Sequence, residues 1–186
     1  MPSNLSAPIS ITTLRDLSQQ FSATGRIEAI ILRPLRREPA LSVGEAIAEP
    51  GRGLLGDHRA TRRQASKREL TLFQAEHLPL VANWCDLATL NPIRLRRNLL
   101  VSGINLIGMR SLFPGVWLEW AIGEEVRMQV TGPCDPCSKI AAELGMGSYN
   151  ELRGHGGVTA RILTGGKIRV GDSVNLIQVR TESANQ

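Results

Sequence analysis

Glycine and proline interrupt this chain so often that a long helix cannot form in it. The 186 residues include 18 glycines and 10 prolines, and both residue types destabilise the interior of helices and central strands. The apolar segments between them are short. Short strands joined by tight turns, with two or three helices, are therefore predicted. This pattern favours a mainly β (α+β) fold, a β-rich barrel with a few flanking helices on its outside.

The predicted elements lie between these interruptions. Strands are predicted at 26–33, where Pro34 stops the first of them, and at 42–49, 69–73, 98–101, 116–121, 125–131, 159–163, 167–170 and 173–179. Apolar residues recur at helical spacing at 11–21, at 74–85 and at 138–144, where Ser138 is the expected cap and Gly145 the stop. The strands do not alternate with helices, which argues against a doubly wound parallel sheet.

One domain accounts for most of the chain. We expect an N-terminal tail and short helix at 1–24, the domain itself at 25–180, and a C-terminal tail at 181–186. No apolar run is long enough to cross a membrane, and the N-terminal region lacks the pattern of a secretory signal. Three cysteines are too few for a disulfide scaffold. A cytoplasmic protein without a membrane partner is therefore expected.

The basic charge of the chain is carried almost entirely by arginine. Lys and Arg number 22 against 17 Asp and Glu, a net charge of +5, and only Lys67, Lys139 and Lys167 are lysines. Biased composition is one explanation. The other is an anionic ligand, because the planar guanidinium matches phosphate and carboxylate oxygens in pairs. Aromatic residues make up only 4% and no nucleic-acid motif is present, so no nucleic-acid partner is expected.

The pair Cys134 and Cys137 carries the clearest chemical pattern. Its C-x-x-C spacing is typical of a redox pair or of half a zinc site. Zinc is disfavoured because neither Cys85 nor the three scattered histidines supply a second ligand pair. A helix that begins just after Cys137 favours its thiolate. Such a thiolate suits a soft or high-valent metal, or a persulfide. The residues alone do not decide between these uses, and they also allow a turn without any chemical function.

Two glycine-containing basic loops and one arginine run provide further candidates. The loops are 56–59, with Arg62 and Arg63 after it, and 153–157, whose glycines allow the backbone to approach an anion. The run of Arg94, Arg96 and Arg97 precedes Asn98 at a strand start. His155 is interpreted first as a scaffold residue of its loop, and His77 as a residue on a helix surface.

Taken in order, these segments resemble a known family. The matching segments are 25–34, Gly53-Leu54-Leu55-Gly56-Asp57-His58, Leu70-Thr71-Leu72-Phe73, Arg96-Arg97-Asn98-Leu99-Leu100-Val101-Ser102-Gly103, the Cys134–Cys137 turn, Arg153–Gly157 and Ile168-Arg169-Val170-Gly171-Asp172. Their order and spacing resemble the MOSC domain, named after the C-terminal domain of molybdenum cofactor sulfurase. The chain is most similar to stand-alone bacterial members. The resemblance implies a β-rich barrel with flanking helices.

The resemblance also implies a cofactor, a site and partners. It implies that the Cys137 thiolate ligates molybdenum of a molybdopterin cofactor, in a reductase of N-hydroxylated compounds. The implied cofactor contacts are Arg96, Asn98, Asp57, Arg59, Thr71, Gly154 and Gly156, and the hypothetical proton donors are His155 and His58. Partners are then a small-molecule substrate and a separate electron-donor reductase, with the chain as a monomer or homodimer.

Two other functions fit the same residues. A sulfur carrier or cofactor-handling protein also needs Cys137, as a persulfide. A non-catalytic module that binds another anion does not need the thiol at all.

Overall fold

A computed structural model of the chain describes residues 13–36, 38–61 and 66–181. The predicted tails before residue 13 and after Thr181, the start of the predicted first helix, and Arg62 and Arg63 lie outside these ranges. None of the helices in the described ranges is long and apolar enough to cross a membrane.

The secondary structure consists of short strands with a few short helices. The strands are β1 (Gly25–Leu32), β2 (Leu41–Val43), β3 (Glu45–Glu49), β4 (Gly53–Leu54), β5 (Leu70–Gln74), β6 (Leu99–Ser102), β7 (Val116–Ile122), β8 (Val126–Pro133), β9 (Val158–Thr164), β10 (Gly166–Arg169) and β11 (Ser173–Thr181). The helices are α1 (Leu14–Leu17), α2 (His77–Trp84), α3 (Ser138–Leu144) and α4 (Ser148–Glu151), with a 3-10 helix at Pro92–Leu95.

Among the described residues, seven of these strands close into a barrel. Their order is β1-β6-β5-β9-β8-β7-β11, and β11 returns to pair with β1. The β5–β6 pair is parallel and the other neighbours in the barrel are antiparallel. A small second sheet has the order β10-β3-β4. The predicted mainly β barrel with few helices is confirmed.

Two apolar cores lie within the described residues. Alternate residues of the barrel strands fill its interior, as β8 shows, where every second residue is buried and the residues between them are half-buried or exposed. Trp120 is fully buried there, and its indole Nε1 donates to the Met109 carbonyl at 3.0 Å. A second core lies between the barrel wall and the helices, around Phe73, Val81 and Ile140. The helices are therefore packed on the outside of the barrel, close to β5 and β6.

The helix predicted at 11–21 ends early. In the described part of that segment the helix spans only Leu14–Leu17, and both leucines are exposed, at 76% and 48%. Phe21 has left the helix and packs edge-on against Trp120, with ring centroids 4.7 Å apart. The helical spacing of these apolar residues therefore does not mark a buried helix face. Phe21 makes its apolar contact with Trp120 from outside the helix.

The strand predicted at 42–49 divides at Gly44. The first part, β2, pairs with β1 in the barrel sheet, whereas β3 pairs with β10 in the small sheet. The glycine loop that follows contains the two-residue strand β4, which was not predicted. Gly53 in β4 has φ +96°, and a Cβ there would lie 2.5 Å from the Glu69 carbonyl oxygen. Only glycine fits this position.

Candidate functional site

The Cys134–Cys137 turn joins β8 to α3. Cys134 is buried, and its Sγ accepts a hydrogen bond from Arg68 Nη2 at 3.2 Å. Cys137 is exposed and is itself the N-cap residue of α3. The prediction that Ser138 caps this helix is therefore wrong by one residue. The turn holds one cysteine inside the protein and presents the other to solvent.

The environment of Cys137 stabilises its thiolate. Partial burial raises the pKa of the thiol, but the backbone N–H groups of Ile140 and Lys139 and the guanidinium groups of Arg97 and Arg96 outweigh this effect, so the pKa is lowered. An exposed thiolate is the form that binds soft metals and attacks electrophiles.

Arg97 is the residue that fixes the turn in place. Its Nη2 donates to the carbonyl oxygens of Cys134 and Asp135 at 2.9 and 3.3 Å, and its Nε donates to the Gly156 carbonyl at 2.8 Å. Its Nη1 reaches the Leu95 carbonyl at 3.2 Å. Only 5% of Arg97 is exposed. One buried cation thus ties the cysteine turn to the 153–157 loop.

The glycines of that loop allow this close packing. A Cβ on Gly156 would collide with the Cys134 carbonyl group, and a Cβ on Gly157 would collide with the Leu72 carbonyl oxygen. The Gly157 carbonyl also accepts from the Cys134 N–H at 2.8 Å. Gly154 differs, because its φ is +78° and none of the described residues has an atom within 4 Å of the position of a Cβ. Gly156 and Gly157 therefore support the turn, while Gly154 faces open space.

A buried polar network lies under the second basic loop. The Asp57 carboxylate accepts from Arg33 Nε at 2.9 Å and from Asn98 Nδ2 at 3.2 Å. The Asn98 side-chain oxygen accepts from the Thr71 hydroxyl at 2.8 Å, and that hydroxyl accepts from the Asn98 N–H at 3.0 Å. All four side chains are buried. This network joins the ends of β1, β5 and β6 to the loop at 57–59.

The loop at 57–59 is held by the same carboxylate. The Asp57 Oδ1 accepts from the Arg59 N–H at 3.0 Å, and Nδ1 of the half-buried His58 donates to the Arg33 carbonyl at 3.0 Å. Asp57, Asn98 and Thr71 were predicted as cofactor contacts. Their polar side-chain atoms are hydrogen-bonded within the protein. The network is therefore also suited to positioning the loop residues that would contact a cofactor.

In the described ranges, the guanidinium groups of Arg59, Arg68 and Arg96, near the cysteines, have no carboxylate ion-pair partner. Among the ion pairs of the described residues, none includes Arg59, Arg68 or Arg96. Burial and the charges of Arg33 and Arg68 lower the pKa of Arg59, against the opposing effect of Asp57 and Cys134. Arg96 has a left-handed backbone with φ +58°. Arg59 and Arg68 repel each other, and together with Arg96 they form a cationic site suited to an anion.

His155 lies against helix α2. Its ring is 4.8 Å from the ring of His77 and 4.9 Å from that of Trp84, in edge-on contacts. Among the described residues, Nδ1 of His77 and Nδ1 of His155 are both buried without a hydrogen-bond partner. The interpretation of His77 as a residue on a helix surface is incomplete, because its ring is half-buried in this cluster.

The structure brings most of the predicted residues together. Cys137, Arg96 and Arg59 share the neighbourhood of the cysteine turn, whereas His155 points to α2. Three further residues were not among the predicted contacts: Arg33, Arg68 and Arg97. An arginine at the end of an apolar strand is a visible signal for Arg33, but the partners of Arg68 and Arg97 are distant in sequence. No group of three or more His, Cys, Asp and Glu side chains suited to a metal ion occurs in the described ranges.

Comparison with known proteins gives a family and several structural neighbours. The family model described as "MOSC domain" matches residues 56–175. The crystal structure of YuaD from Bacillus subtilis superposes with a TM-score of 0.63 at 17% identity, covering 86% of this chain and 97% of that one. No curated protein matches the sequence significantly.

Two further neighbours are named YiiM. YiiM from Geobacillus stearothermophilus gives a TM-score of 0.65 at 16% identity, covering 83% of this chain and 75% of its own. YiiM from Escherichia coli gives 0.59 at 18% identity, covering 82% and 70%. At these identities the neighbours show a shared fold.

Proposed function

Because the chain belongs to the MOSC domain family, we propose that it binds a molybdenum–pterin cofactor through the Cys137 thiolate and reduces N-hydroxylated small molecules. The observation that carries this proposal is the exposed thiolate with a lowered pKa in a setting of arginines. Electrons come from a separate reductase, because oxygen removal consumes two of them.

The residues present fit such a cofactor. A thiolate sulfur is a suitable ligand for molybdenum. The guanidinium groups of Arg59, Arg68 and Arg96 suit the negative charges of a pterin phosphate and of the metal centre. When bound, the cofactor supplies the two-electron chemistry that removes oxygen from an N–OH group. The donor set therefore agrees with the group that the family implies.

The residues of the chain have distinct roles in this proposal. Cys137 holds the metal, and Arg96 and Arg59 hold anionic groups of the cofactor. Arg97 fixes the cysteine turn, and the Asp57–Asn98 network fixes the loop beside it. His58 is the proposed proton donor, and His155, whose ring packs against His77 and Trp84, supports its loop. Replacing His58 with Gln is then expected to slow turnover while molybdenum stays bound.

The test is the molybdenum content of the purified chain. We expect about one molybdenum per chain from a molybdate-fed host that makes the cofactor, and none in Cys137→Ala. The matched control is Cys85→Ala, because Cys85 is the C-cap of α2 and lies outside the turn. Absence of molybdenum from the wild type, or its retention in Cys137→Ala, contradicts the proposal.

A sulfur-carrier function is the second candidate. It is favoured by the second thiol in the turn, Cys134, whose sulfur Arg68 holds at 3.2 Å. In this function the Cys137 thiolate takes the outer sulfur of a donor persulfide and releases the donor thiolate. A Cys137 peptide heavier by one sulfur atom, in protein without molybdenum, supports it. A non-catalytic anion-binding module is instead indicated if Cys137→Ala leaves ligand binding intact and the wild type contains neither molybdenum nor a Cys137 persulfide.

A further inference from the structure

A cleft of about 620 Å³ opens beside the cysteine turn. One wall is the turn itself, and the other is α4 with the loop that follows it. Its volume is within the range of small-molecule sites. The lining residues are Asp135, Pro136, Tyr149, Asn150, Arg153 and Gly154.

The side chains on these walls have complementary chemistry. The Tyr149 side chain is 47% exposed and offers an aromatic face to a planar ring. Arg153 and Asp135 are both exposed, and neither takes part in an ion pair between described residues. A guanidinium pairs with a carboxylate, and a carboxylate accepts from N–H groups. The cleft therefore offers one site for an anion and another for an N–H donor.

The two walls are held in fixed positions. Arg97 donates to the carbonyls of Asp135 and Gly156, so the turn and the loop after Arg153 are tied to one side chain. Helix α4 is anchored by Ser148, which is 2% exposed and whose hydroxyl donates to the Gly145 carbonyl at 2.7 Å. Pre-formed walls bind a ligand at lower entropic cost than mobile ones.

We propose that this cleft is the substrate subsite and that it selects planar aromatic molecules with a carboxylate at one end and an N–H-bearing group at the other. The inference rests on the proposed function, since it takes Cys137 as the place of chemistry. The ring stacks on Tyr149, the carboxylate pairs with Arg153, and the N–H group is bound by Asp135. Because Asp135 is in the same turn as Cys137, the reducible N–OH group lies at the Cys137 end of the cleft.

Binding of two probes tests the proposal. The probes are 4-carboxybenzamidoxime and uncharged benzamidoxime, titrated into the purified chain by calorimetry. The wild type is expected to bind the carboxylate probe about tenfold more tightly. In Arg153→Gln this preference is lost while the affinity for benzamidoxime is unchanged. The matched control is Arg110→Gln, an exposed arginine between β6 and β7. Equal affinities in the wild type, or a preference that survives Arg153→Gln, overturn the proposal.

A second pair of variants tests the stacking. Tyr149→Leu is expected to weaken the binding of both probes severalfold, and Tyr149→Phe to leave both unchanged, because only the aromatic face is used. Equal affinities in Tyr149→Leu and wild type overturn the placement of the ring.

Molybdenum content, measured on the same samples, separates the two proposals. A carboxylate preference without molybdenum overturns the proposed reductase and leaves the cleft as a binding site. Molybdenum without the preference overturns the cleft alone. Cys137→Ala is expected to lose molybdenum and to retain the preference, since Cys137 does not line the cleft.

Discussion

At the scale of single residues, the surroundings of Cys134 and Cys137 give two chemically identical side chains different exposure to solvent. Cys134 is buried against Arg68, whereas Cys137 caps a helix in solvent. Cys85 at the end of α2 has the opposite electrostatics to Cys137, because burial and the charge of Glu151 raise its pKa. The three thiols of the chain are therefore expected to differ in reactivity, which alkylation can measure.

The alkylation of metal-free protein measures this difference. Because the pKa of Cys137 is lowered, its reaction with iodoacetamide is expected to reach half its maximal rate at a lower pH than that of a free cysteine. Arg96→Gln removes one of the stabilising charges and shifts this midpoint upward. Rates at each pH are read by mass spectrometry of the peptides. Cys85 is the internal control, and identical midpoints for Cys137 and Cys85 exclude the electrostatic account.

At the scale of elements, helix α2 begins at a half-buried histidine, His77, whose ring packs against that of His155. Burial and the nearby His155 lower the pKa of His77, and Glu76 opposes them. The folded state therefore binds a proton at His77 less readily than the unfolded chain. Stability is fully present above the ordinary histidine pKa, about 6.5, and is lost as pH falls below it towards the lower folded pKa.

The urea midpoint at pH 7 and at pH 5 tests this dependence. The midpoint of the wild type is expected to fall with pH by more than that of His77→Leu, which has no imidazole to protonate at this position. His58→Gln is the control, because His58 lies outside the cluster and contacts Arg33. If the urea midpoint falls between pH 7 and pH 5 by as much in His77→Leu as in the wild type, the acid sensitivity arises elsewhere.

The elements that local patterns determine could be predicted from the sequence. The predicted strand at 26–33 corresponds to β1, and the predicted strands at 116–121 and 125–131 correspond to β7 and β8, because alternation and turn residues set them. The one-turn helix α4 and the two-residue β4 were missed, since segments this short carry no period. The site shows the same limit: the C-x-x-C spacing identifies Cys137, but Arg97 acquires its role from carbonyls up to 59 residues away.

At the scale of the whole molecule, the barrel depends on the close approach of its first and last strands. Gly25 of β1 pairs with Val174 of β11. A Cβ on Gly25 would lie 2.5 Å from Ile104 Cγ2 and 3.1 Å from Val174 Cβ. There is therefore no room for a side chain at the seam where the barrel closes.

Gly25→Ala is expected to lower the free energy of unfolding by about 1–3 kcal/mol, because an overpacked core must shift to admit the methyl group. Urea denaturation monitored by circular dichroism measures the change. Gly44→Ala is the matched control, since no atom in the described part of the chain lies within 4 Å of a Cβ at Gly44. Equal changes of the free energy of unfolding in the two variants would show that crowding at the closing seam does not set the cost.

The seam also determines when the protein can finish folding. During synthesis on a ribosome, β1 emerges first and β11 last, and β7 has its second neighbour only in β11. Until β11 is released, the start of β1 and the outer edge of β7 are open strand edges, which pair readily with other chains. Closing contacts between distant parts of a chain are also slow to form. The nascent, unclosed barrel is thus the stage at which this protein is most exposed to aggregation, and the stage at which a chaperone has most to protect.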